Sequence, residues 1–151
     1  MSHVKALAKN VVDVLGGGSR AVNISIETAC VETQCGTFPD AHPDKWGVGL
    51  CQLDQIGLDD IQLNGEQRHF DLIKGAFDYD IRKVQLSDAA HDPLLSLILC
   101  RLHYKRVPAR FPDDLIGRAK YWKEYYNTVA GKGTVHHYLD SVRNILGEDW
   151  Q

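Results

Sequence analysis

The run HDPLLSLILCRLHYKRVP, residues 91–108, constrains the fold more than any other stretch of the chain. Asp92 can accept hydrogen bonds from the free N–H groups of a helix start, and Pro93 has its φ preset for the first helical position. From Leu94 to Leu102 the run is nearly all apolar. A helix without a polar face cannot lie on a surface and must be wrapped by other elements. The remaining helices are therefore expected to assemble around this one, with Pro108 and Pro112 bracketing the loop that leaves it.

Those other helices are legible from spacing. Val4, Leu7, Ala8, Val11, Val12 and Leu15 form one apolar stripe at helical period, ended by Gly16 to Gly18. Ser19 can cap a second helix over about Arg20 to Thr33, apolar through Val22, Ile26, Ala29 and Cys30, with Glu32 in its last turn. A polar loop with Pro39, Pro43 and three glycines (Gly36, Gly47, Gly49) covers 34–49. Shorter helices are expected from Gln55 to Leu63 and from Gln67 to Ala76. DLIGRAKYWKEYYN forms another, AGKGT breaks it, and Thr134 caps the last, VHHYLDSVRNIL. No repeat, linker or low-complexity segment interrupts the series. The expectation is one mainly α domain over 1–151.

The 151 residues are enough to bury a core, and 44% apolar with 25% charged is ordinary for a globular chain. A net charge of −3 gives no electrostatic reason to expect nucleic acid or anionic lipid as a partner. No stretch approaches the roughly 20 apolar residues of a membrane span. Lys9, Asn10 and Asp13 interrupt any signal-peptide core, so the chain is expected to be made in the cytoplasm without a secretion signal. Cys30, Cys35, Cys51 and Cys100 lack zinc spacing and are expected as small buried thiols in a reducing compartment, with a disulfide the lesser alternative. Neighbouring His136 and His137 diverge on a helix and cannot chelate one metal together. No metal or cofactor is expected.

Glu32 is the candidate for chemistry. A carboxyl at the C-terminal end of a core-packed helix meets the negative end of the helix dipole and partial desolvation, and both disfavour its ionised form. That is what a general acid working near neutral pH requires. A solvated helix-end glutamate is the ordinary alternative. Glu27 lies about 140° around the helix and does not share its face. Asp54 could activate a water as a second carboxylate, or it could cap the helix after it. Trp46 could stack on a sugar ring or plug its loop against the core. Trp122, Tyr121 and Tyr125 fall at helical spacing and read as core. Arg101 and Arg106 are expected to hold the C-terminal loops.

ETQCG at 32–36 followed by GVGLCQ at 47–52 resembles the signature of the lysozyme-like superfamily, in which a Glu-Ser/Thr pair precedes a Gly-Leu-Met-Gln turn in goose-type lysozymes and lytic transglycosylases. RLHYKRVP and GRAKYWKEYYNTVAGKGT, within 101–134, are similar to an element of bacteriophage proteins related to those enzymes. The resemblance spans roughly residues 20 to 145 and departs from the pattern at Thr33 (for Ser) and Cys51 (for Met). It implies a lysozyme-like helical fold with an active-site cleft and cleavage of the β-1,4 bonds between N-acetylmuramic acid and N-acetylglucosamine in peptidoglycan glycan strands.

In that scheme Glu32 protonates the glycosidic oxygen and then serves as base while the sugar's 6-hydroxyl closes an anhydro ring, so no second carboxylate is strictly needed. Thr33 would contact substrate, Gln52 would line the cleft floor, Tyr126 would hydrogen-bond the acid or a sugar, and Asn127 could read an N-acetyl group. The enzyme would act at the bacterial wall, free or carried in a phage particle. The alternative is a non-catalytic virion component with the same fold, with other virion proteins as partners.

Overall fold

The computed structural model describes residues 1–36, 47–127 and 133–151. Within them the chain is helical: α1 (Ser2–Leu15), α2 (Gly18–Thr33), α3 (Gln55–Asn64), α4 (Gln67–Phe77), a 3₁₀ turn (Leu86–Ala89), α5 (Pro93–Lys105), α6 (Leu115–Trp122), a π-wound turn (Lys123–Asn127) and α7 (Val135–Leu146). The only extended pairing among the described residues is an isolated bridge between Val48 and Leu53. The mainly α class expected from the sequence is what is observed.

α5 occupies the centre. Leu95 through Leu102 and Tyr104 are all buried, and the helix touches α1, α2, α3, the 3₁₀ turn and the π-turn. Its start is explained by its sequence: Asp92 Oδ1 accepts from the Leu95 N–H at 3.0 Å, with Pro93 at the first position. The same capping starts α3 on Asp54, α6 on Asp114 and α7 on Thr134. Ser19 does not cap α2. That helix begins earlier on Gly17, at φ 117°, where no side chain caps it. Gly17 has the positive φ that glycine takes freely, and a Cβ there would lie 2.6 Å from both the Ala21 Cβ and Arg101 Nη2.

Arg101 and Arg106 also depart from expectation. Arg101 holds the end of α1, donating from Nε and Nη2 to the Gly16 carbonyl, and Arg106 pairs with Asp60 of α3 at 3.1 Å. Both tie α5 to the N-terminal half, because that half is what surrounds the central helix. The single helix expected over 114–127 changes winding after Trp122. The AGKGT break lies mostly outside the described residues.

Glu27 and Arg118 are both wholly buried. Arg118 Nε meets Glu27 Oε1 at 2.8 Å and Nη2 meets Oε2 at 2.9 Å, a two-pronged pairing. The Tyr138 hydroxyl and Trp150 Nε1 each donate one more hydrogen bond to the same carboxylate, at 2.8 and 2.7 Å. Donors from α6, α7 and the C-terminal residues thus converge on the middle of α2. Arg118→Leu strands the carboxylate in a dry core, and unfolding in denaturant is expected to show a loss of about 3–5 kcal/mol. A loss below about 1 kcal/mol contradicts a structural role for the pair.

Candidate active site

Glu32 is half-buried in the last turn of α2. Its Oε1 accepts from the indole N–H of buried Trp122 at 3.2 Å. Trp122 is core, as its spacing implied, yet its N–H needs a partner and finds the carboxyl. The sequence offered that much of a hint, since a buried indole rarely leaves its donor unused, but it could not say which acceptor would be met.

Next to Glu32, Thr33 is buried and its hydroxyl is committed. It donates to the Leu50 carbonyl at 2.7 Å and accepts from the Gly36 N–H at 3.0 Å. It therefore positions the turn rather than meeting a substrate, a correction whose cause is its burial. The turn at 47–53 is held on two further sides. The Tyr126 hydroxyl donates to the Cys51 carbonyl at 2.6 Å, and the Cys51 N–H donates to Ser96 Oγ of α5 at 3.0 Å. Gly49 takes φ 79°, and a Cβ there would strike the Ala89 carbonyl at 2.4 Å, so the Gly-Leu-Cys-Gln bend needs this glycine.

Gln52 sits at φ 51° on this turn, with Nε2 donating to the Gly49 carbonyl at 2.9 Å. Tyr126 and Asn127 lie on the π-turn, a winding often found at functional sites. The Tyr126 hydroxyl proton goes to a backbone carbonyl, not to the acid, because the clamped turn presents that carbonyl directly to it. The Asn127 side-chain carbonyl accepts from Lys123 Nζ at 2.8 Å. Asp54 caps α3 through the Gly57 N–H at 2.7 Å, the second of its two expected uses. Trp46 lies outside the described residues.

Electrostatics link these groups. Burial pushes the Tyr126 phenol well above its usual range, and the charge of Glu32 contributes to the same rise, as it does for Cys51 and Tyr104. The Tyr126 ring rests on Tyr104, centroids 5.0 Å apart, with His103 edge-on at 5.1 Å. The structure thus brings Glu32, Thr33, the Gln52 turn and Tyr126 into one neighbourhood. The cysteines are free thiols; Cys30, Cys51 and Cys100 are buried, and half-buried Cys35 lies 2.8 Å from the Cys30 sulfur. Among the described residues no cluster of metal-ligating side chains occurs.

No protein-family profile, curated protein or solved structure matches this chain. The geometry of the site therefore carries its interpretation.

His103 has no sequence signal that marks it out, yet its Nδ1 is buried without a hydrogen-bond partner among the described residues. Burial lowers its pKa below the ordinary 6.5, against the opposing charges of Asp54 and Asp60. His69 is lowered as well, by burial and by Lys105. A depressed folded-state value means that the unfolded chain binds the proton more readily. The stabilisation is complete above pH 6.5 and is lost as pH falls from there through the folded values. Thermal midpoints should therefore drop across that window, and His103→Gln should flatten part of the slope. An unaltered slope in the variant contradicts this assignment.

Proposed function

We propose that this chain cleaves the β-1,4 bonds of peptidoglycan glycan strands, with Glu32 as the single general acid and base. The observation that carries it is the setting of the Glu32 carboxyl: half-buried, oriented by the Trp122 indole, and beside the clamped turn that bears Gln52. A fixed, half-buried carboxyl can protonate a glycosidic oxygen and recover the proton from the attacking hydroxyl. Tyr126, whose oxygen retains acceptor capacity, and the side-chain N–H groups of Asn127 lie on the π-turn that follows Trp122. Under this proposal the fold is lysozyme-like, and the substrate is reached with a phage particle or through a membrane lesion made by another protein.

Incubation with purified peptidoglycan tests it. The wild type should release anhydro-muropeptides or new reducing ends, and Glu32→Gln should lower the rate about 10²–10⁴-fold while melting normally. Equal release by the two proteins, or none by either, ends the proposal.

A second reading has its own support. The Gln52 amide folds back on Gly49, the Tyr126 proton is spent on Cys51, and the Thr33 hydroxyl is buried. A site whose polar groups satisfy one another suits a non-catalytic virion component. Many ordered copies in intact particles, together with no wall cleavage, would favour that reading.

A further inference from the structure

A cavity bounded by described residues lies away from Glu32. It lies at the opposite end of α2, enclosing about 580 Å³ between the α2 start, the last turn of α5 and the segment around Phe111. The rise from Gly18 to Glu32 along the helix is about 21 Å, at ~1.5 Å per residue. The cavity is therefore separate from the proposed cleavage site and carries its own argument.

Its wall is cationic. Arg20, Arg101, Lys105 and Arg110 all line it. Arg20 pairs with Asp113. Among the described residues no carboxylate stands within ion-pair distance of the other three. Arg101 is only 5% exposed, and its hydrogen bonds go to a backbone carbonyl, which orients the guanidinium without cancelling its charge. Its other face lies 5.3 Å from the Phe111 ring centroid. Lys105 is held below its usual pKa by burial and by the like charges of Arg101 and Arg68, against the opposing charge of Glu66. Like charges gathered on one wall repel one another, and the Gly16 carbonyl holds the buried one, Arg101, in place.

The helix adds to the same sign. α2 starts without a side-chain cap and has no acidic residue in its first turn, so the positive end of its dipole stands on the wall that Gly17, Gly18 and Ser19 line. Ser19 supplies a hydroxyl on the same wall. A single small anion would not fill this volume, which falls in the range of small-molecule sites. Several forked or flexible cations spread around the wall match a ligand with several oxyanion groups.

We propose that this cavity binds a small molecule bearing two or more linked phosphate groups. Inorganic tripolyphosphate is the probe, with citrate as the carboxylate comparison, in calorimetric titrations at constant ionic strength set with chloride. Wild type should bind tripolyphosphate saturably and more tightly than citrate. Arg110→Gln and Lys105→Gln should each weaken binding about tenfold while retaining the wild-type melting temperature without ligand. Arg110 is exposed, so its replacement leaves the core intact. Absence of saturable binding, or equal affinity in wild type and both variants, overturns the site. Citrate binding as tightly as tripolyphosphate overturns the phosphate assignment.

Discussion

A carboxylate and a guanidinium, both sealed from water, govern how the helices meet. Each ion alone would cost several kcal/mol to bury, and only close to ideal geometry offsets that. Glu27 obtains it from Arg118, Tyr138 and Trp150 together, so α6, α7 and the C-terminal residues must arrive in register with α2. Apolar packing tolerates small slips; this arrangement does not. It also sets the rotation of α2. With Glu27 turned into the core, Glu32 emerges on a different side, and α6 grips α2 there a second time through Trp122.

The turn at 47–53 depends on this frame. Its carbonyls and amide are taken by Thr33 of α2, Ser96 of α5 and Tyr126 of the π-turn. Three elements already fixed relative to one another therefore dictate where Gln52 sits. Aromatic contacts extend the connection, since Tyr104 touches Tyr126 on one side and Tyr121 and Phe111 on the other. Tyr104 is itself anchored to Thr28 of α2 at 2.8 Å. The same residue thus lies between the neighbourhood of Glu32 and the cationic cavity.

What the sequence made legible was local. Asp92 with Pro93, Asp54 and Thr134 cap helices because their side chains reach N–H groups three residues on, which needs no knowledge of the rest of the chain. The apolar run of α5 announced its own burial. Long-range pairings were not legible: nothing near Glu27 in the sequence indicates Arg118, and nothing near Arg101 indicates the Gly16 carbonyl. The start of α2 on Gly17 rather than Ser19 was not legible either, since it rests on a left-handed glycine backbone and not on a capping side chain. The change to π winding escaped the apolar spacing because Trp122 and Tyr126 seek different partners, a carboxyl and a backbone carbonyl. For the site, Glu32 could be singled out by its place at a helix end, whereas the commitment of Thr33 and Tyr126 to the backbone depended on the turn's three-dimensional position.

α2 is secured unevenly along its length. Glu27 fixes it to α6, α7 and the C-terminal residues, and within the next six residues Trp122 meets Glu32 and Thr33 bonds the Leu50 carbonyl. A rod pinned at successive points toward one end resists tilting there. The Glu32 end is thus the stiffer half of the helix, and the start, without a side-chain cap, is the looser one.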